Sequence, residues 1–463
     1  MRGFKTAAAL SLALASTPAL SLSVTVSDDN SVKNTAATLA YGLMKYYTGN
    51  NTGDTPGNLP DPYYWWEAGA MFGTIIDYWH LTGDTSYNDA TLQAMVHQAG
   101  PTKDFMPKNQ TRTEGNDDQG FWAMASMTAA EVKFPDPPKD DAQWLAVTQA
   151  VFNQYVLRWD PADCTGGMRW QIFQFNNGWN YKNSISNGCF FNIAARLHRY
   201  TGNATYGDWA TKIFDWHQSI GLITKDYGVH DGITIDLDGT CKRIDLLEWS
   251  YNSGIFLQGA AAMYNATGGD TKWKTAVDGL LQHSKSKFTK DGVIFEQFCE
   301  PNKLCNNDQQ SFKGYFIRWL AATTQLAPYT YSTIKPLLET AATKAASVCI
   351  GSPDATKYKG PPGTACGYTW IPGGTFDGVV AVGSMMNALD AVMYNLIGKA
   401  SPPVTSKSGG TSKGDPSAGS GGTEDPTKLK PLTMADKVGA GIITMLFIVG
   451  AIGSTAFMLM DRI

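Results

Sequence analysis

Charge is scarce in this 463-residue chain: Asp, Glu, Lys and Arg make up 17%, and the formal net charge is −4. No basic stripe is present, so neither nucleic acid nor an anionic membrane surface is expected as an electrostatic partner. Histidine is scarcer still. The six His80, His97, His198, His217, His230 and His283 are scattered, with no pair at metal-ligand spacing. The sequence holds no H-E-x-x-H, no Cys/His zinc pattern, no P-loop, no G-x-G-x-x-G at a strand–helix junction and no G-x-S-x-G elbow. Zinc-protease, nucleotide-binding and serine-esterase readings therefore have no motif behind them, and no metal or cofactor is expected.

The two ends are unlike the middle. Residues 1–23 combine Arg2 and Lys5, a short apolar run and small residues near Ala19-Leu20-Ser21, the layout of a secretory signal peptide. Residues 401–438 are rich in Ser, Gly, Thr, Pro and Lys and read as a flexible stalk. Residues 439–463 are apolar up to Asp461-Arg462. Small residues near Ser417–Gly422, a polar spacer and this tail resemble a GPI-anchor signal, with a true membrane helix as the alternative. Both place the folded part, 24–400, outside the cell, at the surface or in the wall. Cysteine usage fits that compartment. Cys299 and Cys305 bracket a short loop, Cys349 and Cys366 a Gly/Pro-rich one. Cys164 and Cys241 both lie in loop-like surroundings, and Cys189 opens an apolar run as a buried thiol. Asn50, Asn109, Asn203 and Asn265 sit in N-x-Thr sequons, expected glycosylation sites.

Within 24–400 the apolar spacing predicts an all-α domain. Helices are expected near 32–47, 63–81, 88–98, 118–131, 141–156, 187–201, 204–219, 249–265, 271–284, 308–325, 332–346 and 377–396. The turns "HLTGDTSY", "RYTGNATY" and "YNATGGDTKW" look like a weak internal repeat. Twelve helices in consecutive hairpins fit an (α/α)6 barrel, with an open helical solenoid as the alternative. Segments 157–186 and 220–245 lack helical period and are expected to roof one rim. A single, monomeric domain is expected.

The acids supply the chemistry. Asp117 and Asp118 open the stretch "NDDQGFWAMA". Two carboxyl groups flanking one glycosidic bond are what glycoside hydrolysis needs, about 5–5.5 Å apart in retaining enzymes. An acidic helix start favoured by the helix dipole would look the same on spacing alone. Against that reading, like acids side by side raise each other's pKa, as an acid catalyst requires, and Phe121-Trp122 predict an interior helix. Amides, hydroxyls and aromatic planes gather at other expected helix starts: Trp66 and Glu67; Asn116 and Gln119; Tyr181, Lys182, Asn183 and Asn187; Trp249, Tyr251 and Asn252; Phe312 and Lys313. Together these 13 residues are the candidate substrate-binding set, because amides beside aromatic planes suit polyhydroxylated rings.

The stretches "NDDQGFWAMA", "NGWNYKNSISNG", "EWSYNSGIFLQGAAAMY" and "FKGYFIRWL" together resemble glycoside hydrolase family 76, and within it the fungal branch of GPI-anchored cell-wall mannan endo-1,6-α-mannosidases. The likeness covers roughly residues 28–400. It implies an (α/α)6 barrel and cleavage of α-1,6-mannosides with retention, Asp117 as nucleophile and Asp118 as acid/base. It further implies, as donor, an α-1,6-mannoside or the mannose core of GPI anchors, and as acceptor a wall β-glucan, so that a transglycosidase is as well supported as a hydrolase. A non-catalytic mannan-binding wall protein is the alternative from another class. A polysaccharide lyase on the same barrel ranks last, since the candidate pocket is poor in His and Arg.

Overall fold

The computed structural model describes residues 22–420 and 433–460, with side chains to 455. The signal-peptide reading at 1–21 and the part of the stalk at 421–432 lie outside the described residues. The barrel unit contains twelve α-helices among its described residues: α1 (Asp29–Met44), α2 (Trp65–Thr82), α3 (Asn88–Gln98), α4 (Asn116–Val132), α5 (Trp144–Arg158), α6 (Ser184–Thr201), α7 (Ala204–Ser219), α8 (Ser250–Ala266), α9 (Thr271–Phe288), α10 (Phe312–Leu326), α11 (Tyr331–Val348) and α12 (Val382–Met393).

The even-numbered helices form a closed inner ring. Each packs on the next, and α12 returns to α2. The odd-numbered helices lie outside, α3 on α2, α5 on α4, α7 on α6, α9 on α8, and α1 and α11 on α12. The two rings differ in sequence as the architecture demands. Outer helix α9 buries one stripe, Trp273, Ala276, Val277, Leu280, Leu281, Ser284 and Phe288, at i, i+3, i+4 spacing. Inner helix α8 is buried all round from Ser250 to Met263. Small residues let inner helices approach: a Cβ on Gly120 of α4 would meet Cys189 of α6 at 2.6 Å.

Because the helices alternate in direction, every inner helix starts at the same rim. The connections that reach this rim are the long ones: 45–64, 99–115, 159–183, 220–249, 289–311 and 349–381. Those at the opposite end are short, such as 202–203 and 267–270. The rim carries a three-stranded antiparallel sheet, β1 (Tyr181–Asn183), β2 (His230–Thr234) and β3 (Arg243–Glu248), in the order β1-β2-β3. Disulfides Cys164–Cys241, Cys299–Cys305 and Cys349–Cys366 staple rim loops, and Cys189 is a buried free thiol.

The first part of the expected stalk, residues 401–420, is ordered against the barrel. Residues 401–420 lie along the outside of the barrel. The Ser401 carbonyl oxygen is 3.1 Å from His80 Nε2, Val404 N–H donates to the Glu131 carbonyl (2.8 Å), Leu145 N–H donates to Ser412 Oγ (3.0 Å) and Gln154 Nε2 donates to the Gly419 carbonyl (2.8 Å). Composition suggested disorder because glycine is entropically costly to order. Here glycine is what permits contact, since a Cβ on Gly419 would meet the Ala150 carbonyl oxygen at 2.6 Å. The C-terminal residues form a separate unit whose described part is the helix Met434–Met460. Its span Met434–Thr455 is long and apolar enough to cross a membrane.

Candidate active site

The N-terminus of α4 sets the centre of the site. Gly115 is its N-cap in extended backbone, and Gly115 N–H donates to Asp118 Oδ2 at 2.6 Å. Asp117 Oδ1 accepts from Asp118 N–H (3.2 Å), and Asp117 Oδ2 accepts from Asn183 Nδ2 (3.3 Å). The same two acids therefore open a helix and line a cleft. Asp118 reaches back to the N-cap N–H and, with Asp117, faces one cleft of about 230 Å³ at the rim. Around them stand Trp66, Phe121, Trp170, Tyr181, Asn183, Ile185, Asp231, Tyr251, Asp308 and Phe312.

Electrostatics in the cleft are one-sided. Four carboxyl groups line it and, among the described residues, no Lys or Arg does. Burial and the facing Asp118 carboxyl raise Asp117 well above the ordinary range. Burial raises Asp118 to about 7 against the opposing Gly115 N–H. Two such groups ionise in sequence, so near neutrality the pair tends to hold one proton between them. Burial also raises Asp231, which accepts from Tyr181 Oη (2.7 Å) and Asn252 Nδ2 (3.5 Å), and Asp308, which the Trp66 side chain partly offsets. Tyr251 lies flat on Phe312, with ring centroids 3.7 Å apart and planes 5° apart, an aromatic platform beside the acids.

Of the 13 candidate binding residues, Trp66, Tyr181, Asn183, Tyr251 and Phe312 line the cleft. The others do not. Asn116 and Gln119 turn to Arg158 of α5, which donates to Asn116 Oδ1 (2.8 Å) and Gln119 Oε1 (2.6 Å). Lys182 is fully buried in a nest of carbonyls from Asp160, Asp163 and Gly166. Asn187 is hydrogen-bonded to Met168 through both of its polar atoms and holds the 159–183 loop. Lys313 pairs with Glu300 (3.0 Å) and lies 3.9 Å over the Trp370 ring. Glu67 accepts from Tyr64 N–H and Asn307 Nδ2, both at 2.8 Å. Trp249 packs edge-on against Phe298 and Phe312, and Asn252 reaches Asp231 from behind. Trp249 aside, the reason is common to the other seven. Long or amide side chains beside buried helix starts also serve to satisfy buried backbone and partner groups, and spacing does not separate those duties.

Sequence reading missed Asp231, Asp308 and Trp170. Trp170 and Asp231 come from rim connections without helical period, and Asp308 from the expected start of a helix that begins only at Phe312; the register of β2 beside β1 brings Asp231 to Tyr181. Of the sequons, Asn50, Asn109 and Asn203 are exposed. Asn265 is exposed too, but its amide nitrogen donates to the Leu326 carbonyl and its oxygen accepts from Arg199.

Comparisons with known proteins agree with this architecture. The family model described as Glycosyl hydrolase family 76 matches residues 31–407. Mannan endo-1,6-alpha-mannosidase DCW1 of Saccharomyces cerevisiae is 47% identical, over 89% of this chain and 90% of its own. Mannan endo-1,6-alpha-mannosidase DFG5 of the same yeast is 41% identical, over 93% and 92%. The crystal structure of Dfg5 from Chaetomium thermophilum in complex with glucosamine is 46% identical, with a TM-score of 0.80, covering 85% of this chain and 97% of that one. The alpha-1,6-mannanase of Salegentibacter sp. HEL1_6 shares the fold at 18% identity and a TM-score of 0.60, over 79% and 98%.

Proposed function

The chain belongs to glycosyl hydrolase family 76, and on that premise we propose that it is a retaining endo-α-1,6-mannosidase or transglycosidase of the fungal cell surface. The observation that carries this reading is the Asp117–Asp118 pair facing one cation-free cleft beside the Tyr251–Phe312 platform. A neutral sugar suits such a cleft, whereas an anionic one would meet four carboxyl groups.

In this reading Asp117 is the nucleophile. Its carboxylate is held by two donors, Asn183 Nδ2 and Asp118 N–H, and attacks the anomeric carbon. The one proton the pair holds sits, in this reading, on Asp118 as Asp117 attacks, since two donors favour the ionised Asp117, and Asp118 delivers it to the departing glycosidic oxygen. The resulting carboxylate then takes a proton from an incoming hydroxyl, which attacks the same carbon and releases Asp117 with overall retention. Water gives hydrolysis and a sugar hydroxyl gives transfer. Asp231 and Asp308 accept hydrogen bonds from substrate hydroxyls, and Trp66, Tyr251 and Phe312 stack on rings. The donor we propose is an α-1,6-mannoside such as the mannose core of a GPI glycan. The acceptor is a β-glucan, which would join a GPI protein to the wall. The protein acts as a monomer, secreted and held at the outer leaflet by its C-terminal anchor.

The test is incubation with an α-1,6-mannan oligosaccharide, with and without a β-glucan oligosaccharide, read by mass spectrometry. Shortened mannan alone marks the hydrolase and a mannosyl–glucan adduct the transferase. Binding without product, unaffected by Asp117→Asn/Asp118→Asn, would instead identify a non-catalytic wall lectin.

A further inference from the structure

Two independent features converge on the cleft end of the barrel. The first is the path of residues 401–420. This strap starts at the end opposite the cleft, where Val404 meets Glu131 near the C-terminus of α4. It then climbs α5 toward the rim: Ser412 at Leu145, Asp415 N–H on Gln149 Oε1, the Pro416 and Ala418 carbonyls on Asn153 Nδ2, and the Gly419 carbonyl on Gln154 Nε2. From Leu145 to Gln154 the climb is roughly 14 Å at 1.5 Å per residue. Gln154 is one helical turn below Arg158, which holds Asn116 and Gln119 beside the acid pair. At Ser420, the last described residue of the strap, the chain therefore lies near the end that carries the cleft, although helix α12 delivers it to the other end.

The second feature is where the barrel leaves large apolar side chains in solvent. Tyr64, Phe175, Leu237, Leu246, Phe298 and Leu304 are each more than half exposed, and all lie on connections that return to the cleft rim. Leu157, also more than half exposed, sits at the rim end of α5 above the strap. Among the described residues of the opposite end, Tyr329 is less exposed, at 40%. Phe298 and Leu304 flank the Cys299–Cys305 disulfide, which holds that loop in place. Lys303 between them offers a cation at the same surface. Singly, exposed apolar residues mean little, but a set confined to one end marks an interaction surface.

We propose that the cleft rim docks on a lipid bilayer, with the strap setting the orientation and the rim loops making the contact. The occupant follows from the tether. At most ~50 Å of extended chain separates Ser420 from Met434, where the membrane-length helix begins. A GPI linkage near Ser417–Gly422 would be shorter still. The cleft would then open toward glycans at the membrane surface rather than toward the outer wall. This inference rests on the reading of the C-terminus as a membrane anchor.

The test uses the full chain in phosphatidylcholine vesicles containing a doxyl-labelled lipid, with a fluorophore at Asn302→Cys on the rim or at Lys139→Cys on the opposite end. The expected result is quenching at 302 and none at 139, with quenching at 302 lost in Leu246→Ser/Leu304→Ser. Asn153→Ala/Gln154→Ala, which frees the strap, should abolish the difference between the two positions. Equal quenching in the unaltered strap, or stronger quenching at 139, overturns the proposal. So does failure of the chain to remain on vesicles, which would refute the anchor reading itself. Turnover is not part of the readout, so an inactive enzyme would count against the mannosidase reading alone.

Discussion

Asn183 joins the fold to the chemistry, and its replacement separates the two. Its side-chain oxygen caps α6 by accepting from Ser186 N–H (3.2 Å), while its nitrogen donates to Asp117 Oδ2 (3.3 Å). Asn183→Ser keeps a good N-cap but is too short to reach Asp117. A hydrogen bond to an ionised group contributes about 1.5–3 kcal/mol, so losing it should lower kcat roughly ten- to hundredfold, with little change in Tm. The same loss removes the side-chain donor that opposes burial and Asp118 in setting the Asp117 pKa. The acid limb of kcat/KM should therefore move to higher pH, because Asp117 would ionise later. Asn183→Asp should move it further in the same direction by adding a like charge. The assay is a pH profile on an α-1,6-mannan oligosaccharide, with thermal unfolding alongside. Serine activity within threefold of wild type with an unmoved acid limb would refute the role given to Asn183, and with it the assignment of Asp117 as the group it serves (the threefold margin being about half a kcal/mol).

Three further outcomes follow. Glu67 is fully buried and its pKa is raised from 4.5 to about 8, so the folded protein holds a proton that the unfolded chain releases. Stability should then fall as pH rises from 4.5 toward 8, and Glu67→Gln should flatten that slope and raise Tm at pH 7.5, by up to about 4 kcal/mol of stability, while leaving turnover intact. Lys313→Met would strand the buried Glu300 and cost about 3–5 kcal/mol, seen as a lower denaturation midpoint with KM unchanged in the protein that folds. Replacing Cys164 and Cys241 by Ser opens a link across 77 residues and should cost about 4 kcal/mol on the loop-entropy account, read by chemical denaturation.

The helices were legible because each kind of ring writes its own pattern. The 3.6-residue stripe of α9 and the continuous apolar character of α8 both announce a helix, and Gly202 and Gly83 stop α6 and α2 in left-handed turns. The place of the acid pair at the cleft was legible because Phe121-Trp122 mark an interior helix, whose first turn lies at the rim. The rest of the site was harder for a physical reason. Lys182 and Lys313 look like sugar ligands in sequence, yet each is neutralised in a private buried nest. Asp231 looks like a loop acid and Asp308 like the acidic start of a helix, and both reach the cleft through the folding of the rim connections. The strap shows the same limit: Gly-rich composition reports the cost of ordering a chain, but not that glycine at 414 and 419 allows it to lie against α5.

The central claim is that Asp117 carries the sugar and Asp118 handles the proton. An activated fluoro-mannosyl donor that forms the intermediate quickly and releases it slowly tests this most directly. After proteolysis, mass spectrometry should find one mannosyl adduct on the Asp117 carboxyl, absent in Asp117→Asn and slower to clear in Asp118→Asn. An adduct on another residue, or cleavage of α-1,6-mannan with inversion and no adduct, would contradict the account.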